Sequence, residues 1–189
     1  MRLLVTGTTG GIGSAVKRAA LAAGHAVVEV NRGDFDTFPS MASMGSDPMD
    51  GIVFTTGVCP VKPLGAMTDM ELEETFRVNC GLFVKLMRHV VAGKLNNPKG
   101  MRVVAVSSVS ATEGWAGGAA YCASKGALSA VCRALDAELK PRGISVTALE
   151  PRYVKTRMFD ACAGRMGVDP ALAQDPDSFA RDVMRILER

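Results

Sequence analysis

Tyr121 and Lys125 are the two side chains of this sequence whose types and spacing most directly suggest chemistry. They stand four positions apart in a segment with a helical pattern, which places them on one face of a helix. An isolated tyrosine has a pKa of about 10, and a fixed ammonium group nearby favours the phenolate and lowers that pKa. The pair could therefore exchange protons near neutral pH. The alternative is an exposed tyrosine beside a solvated lysine, because a lone Tyr-x-x-x-Lys often arises by chance.

A glycine-rich turn lies between the first predicted strand, 2–6, and the first predicted helix, 14–23. Residues 6–13 read Thr-Gly-Thr-Thr-Gly-Gly-Ile-Gly. Glycines at this place in a doubly wound sheet allow a tight turn and let the backbone approach a pyrophosphate group at the helix N-terminus. Since the turn lacks the lysine of nucleoside triphosphate-binding loops, it favours a dinucleotide. An ordinary glycine-rich turn is the alternative.

The end of the second predicted strand bears on the choice between NAD and NADP. An acidic residue there would bind the ribose hydroxyls of NAD, whereas an arginine accommodates the 2′-phosphate of NADP. Strand 25–30 is followed by Asn31 and Arg32. These residues favour NADP, with NAD as the alternative, although an exposed arginine after a strand is also common.

Strand and helix patterns alternate along the whole sequence. Apolar strand patterns occur at 2–6, 25–30, 51–55, 101–107 and 144–149, with a short strand expected near 34–37, and helical patterns occur at 14–23, 68–91, 119–140 and 178–188, with a small helix expected near 39–44. This alternation predicts an α/β fold, with a doubly wound, Rossmann-type parallel sheet of six strands and helices on both faces. No linker or repeat interrupts it, so we expect a single domain over residues 1–189.

Composition argues against several functional classes. The 22 basic and 19 acidic residues give a net charge of +3, and no basic block with interleaved aromatic residues suggests nucleic acid as a partner. The 5 cysteines form no Cys-x-x-Cys pair and have no histidine at zinc-site spacing, so we expect no metal site and reduced thiols. The N-terminus leads directly into a strand, and no apolar stretch approaches ~20 residues, so we expect a cytoplasmic protein without a membrane segment.

Three of these features occur in an order that resembles the short-chain dehydrogenase/reductase family. They are the Thr-Gly-x-x-x-Gly-Ile-Gly turn, the Ser107-Ser108 pair after an apolar strand, and Tyr121-x-x-x-Lys125 beyond it. The resemblance covers nearly the whole chain, which would be a shortened member. It implies a Rossmann-type sheet, NAD(P) as cofactor, and hydride transfer between the nicotinamide and a small carbonyl or alcohol substrate.

The resemblance also implies catalytic roles for four residues. Tyr121 would be the proton donor in reduction, and Lys125 would lower its pKa and hold the nicotinamide ribose. Ser108 would polarise the substrate carbonyl, and Asn79 corresponds to a helix asparagine that holds a water molecule in a proton relay. Such prepositioned donors suit the alkoxide that develops when hydride reaches a carbonyl carbon. For Asn79, a helix asparagine bonded to solvent or backbone is the alternative.

Further residues would contact the cofactor by the same resemblance. They are Gly7, Thr9, Gly10, Gly11, Ile12 and Gly13 of the turn, Asn31 and Arg32 after the second strand, Asp36 and Thr37 beside the adenine, Gly57 after the strand 51–55, Tyr121 and Lys125, and Pro151, Val154 and Thr156 at the nicotinamide carboxamide. For Asp36, an ordinary turn aspartate is the alternative.

Some positions depart from the family pattern. Arg152 takes the place of the glycine in Pro-Gly-x-Val-x-Thr, which leaves its backbone conformation open. Phe54-Thr55-Thr56-Gly57 stands where the family commonly has Asn-Asn-Ala-Gly, so the glycine is kept and the asparagine amides are lost, although hydroxyls could replace them in part. The connection between the second and third strands is short, and the family's last strand is missing. Since that strand commonly supports a tetramer interface, we expect a homodimer through the helices that carry Asn79 and Tyr121.

Two other functions compete with this interpretation. The spacing Gly7-x-x-Gly10-x-x-Gly13 also matches an extended branch with epimerases and dehydratases, but 189 residues leave no room for their C-terminal substrate domain. A non-catalytic NADP-binding regulatory protein would have no reason to keep the ordered Asn, Ser, Tyr and Lys set. The sequence does not identify the substrate. We expect substrate contacts from 110–118, including Trp115, and from 158–177, an apolar segment that could act as a lid.

Overall fold

Five parallel strands form the centre of the fold in a computed structural model that describes residues 1–34, 48–93, 95 and 97–189. They are β1 (Arg2–Thr6), β2 (Ala26–Val30), β3 (Gly51–Phe54), β4 (Met101–Val106) and β5 (Ile144–Leu149), in the order β2-β1-β3-β4-β5. The strand order reverses at β1, which pairs with β2 on one side and β3 on the other. Ligands of such sheets bind in the crevice at this reversal, beyond the carboxyl ends of the strands.

Helices cover both faces of the sheet. They are α1 (Gly11–Ala22), α2 (Asp69–Phe76), α3 (Leu82–Val91), α4 (Ala119–Leu139), α5 (Arg157–Met166) and α6 (Pro176–Leu187). Successive strand side chains point to opposite faces, so on β1 Leu4 joins the core under α3 and α4, while Leu3 and Val5 join the core under α1 and α6. The predicted doubly wound, Rossmann-type α/β fold is confirmed.

Part of the predicted connection between β2 and β3 falls outside the described residues. The expected strand near 34–37 has only Asp34 within them, where it ends a short turn, and the expected helix near 39–44 lies wholly outside. The sheet therefore has five strands in the described part of the chain, where the sequence predicts six.

The helix predicted over 68–91 is present, but it contains one wide turn. Thr68 and Glu71 form the capping box that starts α2, in which each side chain accepts a hydrogen bond from the other residue's backbone N–H, at 3.2 and 3.0 Å. Residues Arg77–Gly81 then form a π-helical turn before α3 begins. Single π turns of this kind are frequent at functional sites, and this one carries Asn79.

Helix α5 lies in the segment that the sequence treats as an apolar lid without a helix. Its ends have ordinary helix signals: Thr156 accepts a hydrogen bond from the Phe159 N–H at 3.2 Å, and Gly167 ends the helix with a φ of 65°. Two contacts hold α5 to the loop after β3, from Arg165 to the Val61 carbonyl at 2.9 Å and from the Cys162 thiol to the Cys59 carbonyl at 3.6 Å.

Candidate active site

A cavity of 540 Å³ opens beyond the carboxyl ends of the strands. Its lining includes the predicted residues Gly7, Thr9, Gly10, Gly11, Ile12, Gly13, Asn31, Arg32, Gly57, Ser108, Tyr121, Lys125, Pro151, Val154 and Thr156. Asn79 does not line it, and Asp36 and Thr37 lie outside the described residues. The predicted glycine turn, the end of β2 and the side chains of Ser108, Tyr121 and Lys125 thus line the same cavity.

The glycine turn is packed too closely for side chains. Gly7 has a φ of 65°, and a Cβ on Gly13 would lie 2.2 Å from the Gly7 carbonyl oxygen. A Cβ on Gly11 would lie 2.5 Å from the Thr156 side chain. No side chain caps the N-terminus of α1, so its first N–H groups have no side-chain partner there. This cradle fits the pyrophosphate of a dinucleotide, which would accept those hydrogen bonds.

The end of β2 presents a cation to the cavity. Glu29 lies just before that end, but hydrogen bonds from Lys17, at 2.5 Å, and from Thr8, at 2.6 Å, engage its carboxylate and hold its pKa below the usual range. Arg32 lines the cavity with 55% of its side chain exposed, and its guanidinium lies 3.6 Å from the Glu74 carboxylate. Lys17 thus engages the carboxylate of Glu29, the acidic residue within the strand end, while Arg32 remains accessible.

Thr55 and Thr56 join the ends of β1 and β3. The Thr55 hydroxyl donates to the Thr6 carbonyl at 2.6 Å, and the Thr56 and Thr6 hydroxyls are 2.9 Å apart. Gly57 follows at the cavity wall, where a Cβ would lie 3.3 Å from the Asn79 amide oxygen. The two threonines therefore hold the strand ends in register beside the cavity.

Ser108, Tyr121 and Lys125 meet at the cavity wall. Tyr121 shares a hydrogen bond with Ser108, whose hydroxyl oxygen also accepts from the Ser110 N–H at 3.1 Å. The Lys125 ammonium lies 5.7 Å from the centre of the Tyr121 ring and donates to the Val106 carbonyl at 2.8 Å. The spacing of four positions on α4 does place both side chains on one face, as the sequence predicts.

The structure reverses the direction expected for the Tyr121 pKa. Burial raises this pKa, and the hydrogen bond with Ser108 only partly opposes the increase. Burial also lowers the pKa of Lys125 to about 8. Because the Lys125 ammonium donates to the Val106 carbonyl instead of the phenol oxygen, its charge does not outweigh the desolvation of Tyr121. Tyr121 therefore carries its proton at neutral pH.

Asn79 is fully buried and connects three elements. Its amide nitrogen donates to the Val58 carbonyl and to the Ser124 hydroxyl, both at 2.9 Å, and its amide oxygen accepts from the Val58 N–H at 2.8 Å. The side chain thus joins the π turn to the loop after β3 and to α4. Both amide hydrogens are bonded to protein, and the role of Asn79 in a proton relay stays a prediction.

Several cavity residues were not identified as site residues from the sequence. They are Cys59, Glu113, Arg152, Tyr153 and Arg157. Arg152 was visible as a departure from a glycine position, and its backbone is unstrained because no described non-glycine residue has a positive φ. Glu113 falls within the expected substrate segment 110–118, but nothing in the sequence links it to Arg152. Two nitrogens of Arg152 bond the two carboxylate oxygens of Glu113, at 2.7 and 3.0 Å.

Trp115 and α5 form the wall opposite the strand ends. The indole N–H of Trp115 donates to the Ser110 hydroxyl at 3.1 Å, and its ring lies 6.3 Å from that of Tyr121. Trp115 therefore both packs under its loop and borders the cavity. Met158, Phe159 and Met166 of α5 also line the cavity, as expected for the apolar lid.

In residues 1–34, 48–93, 95 and 97–189, no cluster of three or more histidine, cysteine or acidic side chains could hold a metal ion. Across the same described ranges, no helix has the length and apolar character needed to span a membrane.

Comparison with known proteins places these features in context. A family model described as short chain dehydrogenase matches residues 32–165. The chain is 30% identical to the short-chain reductase protein NovJ of Streptomyces niveus, over 88% of this chain and 74% of that protein. It is 29% identical to L-xylulose reductase of Bos taurus, over 85% and 74%. An actinorhodin polyketide ketoreductase variant solved with NADPH has the same fold, with a TM-score of 0.85 and 20% identity over 98% of this chain and 89% of that one.

Proposed function

Because the chain belongs to the short-chain dehydrogenase family and is an NAD(P)-dependent oxidoreductase, we propose that Tyr121 is its proton donor and NADPH its preferred reductant. The substrate is a small carbonyl compound, or the matching alcohol in the reverse direction. The observation that carries this proposal is the shared cavity, in which the glycine turn and Arg32 lie beside Ser108, Tyr121 and Lys125.

The chain's own groups would manage the charge and the proton of the reduction. When bound, the cofactor supplies the hydride. The Ser108 hydroxyl binds the substrate oxygen and stabilises the negative charge that develops there. Tyr121, which is protonated because burial raises its pKa, gives its proton to that oxygen. The Lys125 ammonium, 5.7 Å from the ring, stabilises the phenolate that remains.

The preference for NADPH follows from the charges at the end of β2. Arg32 is the exposed cation there, and a 2′-phosphate would accept hydrogen bonds from its guanidinium in place of the weakly bonded Glu74. Glu29 is engaged by Lys17 and Thr8 and does not line the cavity, so it is poorly placed to bind the ribose hydroxyls of NAD.

A homodimer is the assembly that we propose. The apolar side chains Val84, Met87, Val91, Val131 and Leu135 border a groove between α3 and α4. Val84 and Val91 lie on one face of α3 and are each 37% exposed. A second copy of the chain, packed through the same two helices, would cover this groove and bury both valines.

Replacement of Tyr121 by Phe tests the proposed function. We expect the wild-type protein to oxidise NADPH in the presence of ketones, aldehydes or β-ketoacyl thioesters, as followed by nicotinamide absorbance. Tyr121→Phe is expected to lower turnover by about 10²- to 10⁴-fold, since it removes the general acid, while NADPH binding measured by fluorescence is retained. Unchanged turnover in this variant would contradict the role of Tyr121.

Tyr153→Phe is the matched control, since it removes the chain's other phenol from the same cavity. We expect it to keep turnover within about threefold of wild type, as for a residue outside the proton transfer. Wild-type protein that binds NADPH but reduces none of the compounds would favour the alternative of a non-catalytic regulatory protein.

A further inference from the structure

Arg152 and Glu113 form an ion pair at the wall of the candidate active site. The guanidinium and carboxylate face each other in a two-pronged arrangement, with N–O distances of 2.7 and 3.0 Å. The Arg152 and Glu113 side chains remain 58% and 51% exposed. Both residues line the same cavity as Ser108 and Tyr121. The pair is therefore accessible to a molecule that enters this cavity.

The backbones of both partners are fixed to Val109, the residue after Ser108. The Val109 N–H donates to the Pro151 carbonyl at 3.1 Å, which holds the chain just before Arg152. The Val109 carbonyl accepts from the Glu113 N–H at 2.8 Å. Because both side chains start from positions tied to one residue, the ion pair needs little rearrangement to form. The fold thereby sets the distance between the ion pair and the Ser108 hydroxyl.

Glu113 is the only acidic residue among the described residues that line the cavity. The cationic lining residues are Arg32, Lys125, Arg152 and Arg157. Arg32 lies at the end of β2 and Lys125 beside Tyr121, while Arg157 begins α5. Tyr153 also hydrogen-bonds Arg152, but it is a neutral partner. Glu113 thus neutralises Arg152, which is the cavity-lining cation on the loop directly after β5. Without Glu113, Arg152 would be an accessible guanidinium, the group best suited to bind carboxylates and phosphates.

We propose that Glu113 and Arg152 together determine substrate specificity, by making the site favour uncharged carbonyl compounds over anionic ones. This inference rests on the proposed function and names the substrate class of the same site. An anionic substrate would have to displace Glu113 from Arg152 and then remain close to the displaced carboxylate. The repulsion between these like charges disfavours that arrangement, so Glu113 competes with anionic substrates for the Arg152 guanidinium. Arg152 stands where the family pattern has a glycine, so the Glu113–Arg152 ion pair is a feature of this chain's own residues.

The pair is not needed to hold the fold together, because exposed ion pairs contribute little to stability. Either residue of the pair can therefore be replaced without loss of the fold. The substitution Glu113→Gln keeps the size of the side chain and leaves Arg152 without a charged partner. The thermal midpoint of this variant is expected to stay close to that of wild type, so a change in substrate preference is attributable to the cavity.

Ethyl acetoacetate and acetoacetate are suitable probes because they share one ketone and differ in charge. The measured quantity is the ratio of kcat/KM for acetoacetate to kcat/KM for the ester, with NADPH saturating. We expect Glu113→Gln to raise this ratio about tenfold or more, equivalent to about 1.4 kcal/mol, and the gain to shrink as salt is added. Arg152→Gln and the double variant are expected to show no such rise. Asp177→Asn is the matched control, since Asp177 is 56% exposed, pairs with Arg18 and lies outside the cavity lining.

A binding measurement separates this inference from the proposed function. Calorimetric titration of acetoacetate into the protein with NADP⁺ present is expected to give about tenfold tighter binding for Glu113→Gln than for wild type. Absence of wild-type turnover with either compound would contradict the proposed function, whereas the titration would still decide the role of Glu113. The inference is overturned when Glu113→Gln binds acetoacetate no more tightly than wild type. Equal gains in Arg152→Gln or Asp177→Asn would also overturn it.

Discussion

At the scale of single residues, burial decides what Tyr121 and Lys125 can do. Their spacing on α4 suggests a tyrosine with a lowered pKa, but desolvation raises the pKa of the phenol and lowers that of the ammonium. The raised pKa of Tyr121 keeps on the phenol the proton that reduction consumes. The lowered pKa of Lys125 means that this side chain loses its charge near pH 8, which an ordinary activity assay can reach.

The pH dependence of reduction is expected to report on Lys125. Its ammonium is present below a pKa of about 8, so kcat/KM for NADPH should hold below that pH and fall as the pH rises through it. The contribution of Lys125 to stability changes with pH in the opposite direction. The lowered pKa means that the unfolded chain binds more protons between about 8 and the ordinary value of 10.5, so this group's contribution to the free energy of unfolding rises across that window.

Lys125→Arg provides the comparison, because arginine keeps its charge throughout this range. We expect a lower rate in this variant without the decline near pH 8. A decline at the same pH in Lys125→Arg would assign it to another group, and urea unfolding at each pH would show whether the fold itself is affected.

Arg32 is expected to set the affinity for the 2′-phosphate. Arg32→Gln removes charge-assisted hydrogen bonds worth about 1.5–3 kcal/mol, so NADPH binding should weaken by about tenfold to a hundredfold while NADH binding changes little. Quenching of protein fluorescence measures both affinities. Arg77→Gln is a matched control, because Arg77 bonds the same Glu74 and does not line the cavity. Equal weakening for NADH, or in the control, would argue against a phosphate contact.

Sequence patterns identified most of the candidate site but few of its interactions. The glycine turn and the Ser108, Tyr121 and Lys125 set could be predicted because each depends on short-range spacing, and all of them line the cavity. The pairing of Glu113 with Arg152 could not, since it joins residues 39 positions apart. The direction of the Tyr121 pKa was also inaccessible, because desolvation depends on packing that spacing does not encode.

At the scale of elements, the segment from α2 to α3 shows what periodicity can and cannot predict. Its capping box and apolar face indicate a helix, and the helix is present from Asp69 to Val91. The π turn at Arg77–Gly81 escaped prediction because one wide turn leaves the apolar pattern on each side intact. Helix α5 escaped because its apolar residues suggested a lid, although Thr156 and Gly167 mark its two ends.

Asn79 is expected to be important for the stability of this segment. Asn79→Ala leaves both backbone polar groups of Val58 and the Ser124 hydroxyl without this partner. Because each unsatisfied buried group costs about 1–3 kcal/mol, we expect the free energy of unfolding in urea to fall by about 2–4 kcal/mol, after partial relaxation. Asn97→Ala is the control, since Asn97 bonds Asp50 and Lys99 in a more exposed setting. Equal losses in the two variants would contradict the role of a buried clamp.

At the scale of the whole molecule, strand order explains why the site could be located before its details were known. The reversal at β1 leaves a crevice beside the ends of β1 and β3, and both the glycine turn and Gly57 follow those strands. Strands β1, β3 and β4 were predictable because they are short apolar runs buried on both faces. The sixth predicted strand falls almost entirely outside the described residues, and it stays a prediction.

The proposed homodimer gives a prediction about the apolar face of α3. The double substitution Val84→Glu and Val91→Glu would place two carboxylates in the proposed interface, so we expect a shift from dimer to monomer at micromolar concentration. Sedimentation velocity measures this shift. Leu21→Glu introduces the same group at a residue on α1 that is 51% exposed, and it should leave the assembly unchanged. A wild-type protein that sediments as a monomer would contradict the proposal.

The π turn at Arg77–Gly81 also sets the rotational phase of α3. An α-helix advances by about 100° per residue, so every side chain after a one-residue expansion is turned by that amount relative to an uninterrupted helix. Within this turn Asn79 faces the interior, and in α3 Val84 and Val91 face outward. The same helical segment thus directs one side chain to the loop after β3 and, beyond the wide turn, two valines to the molecular surface.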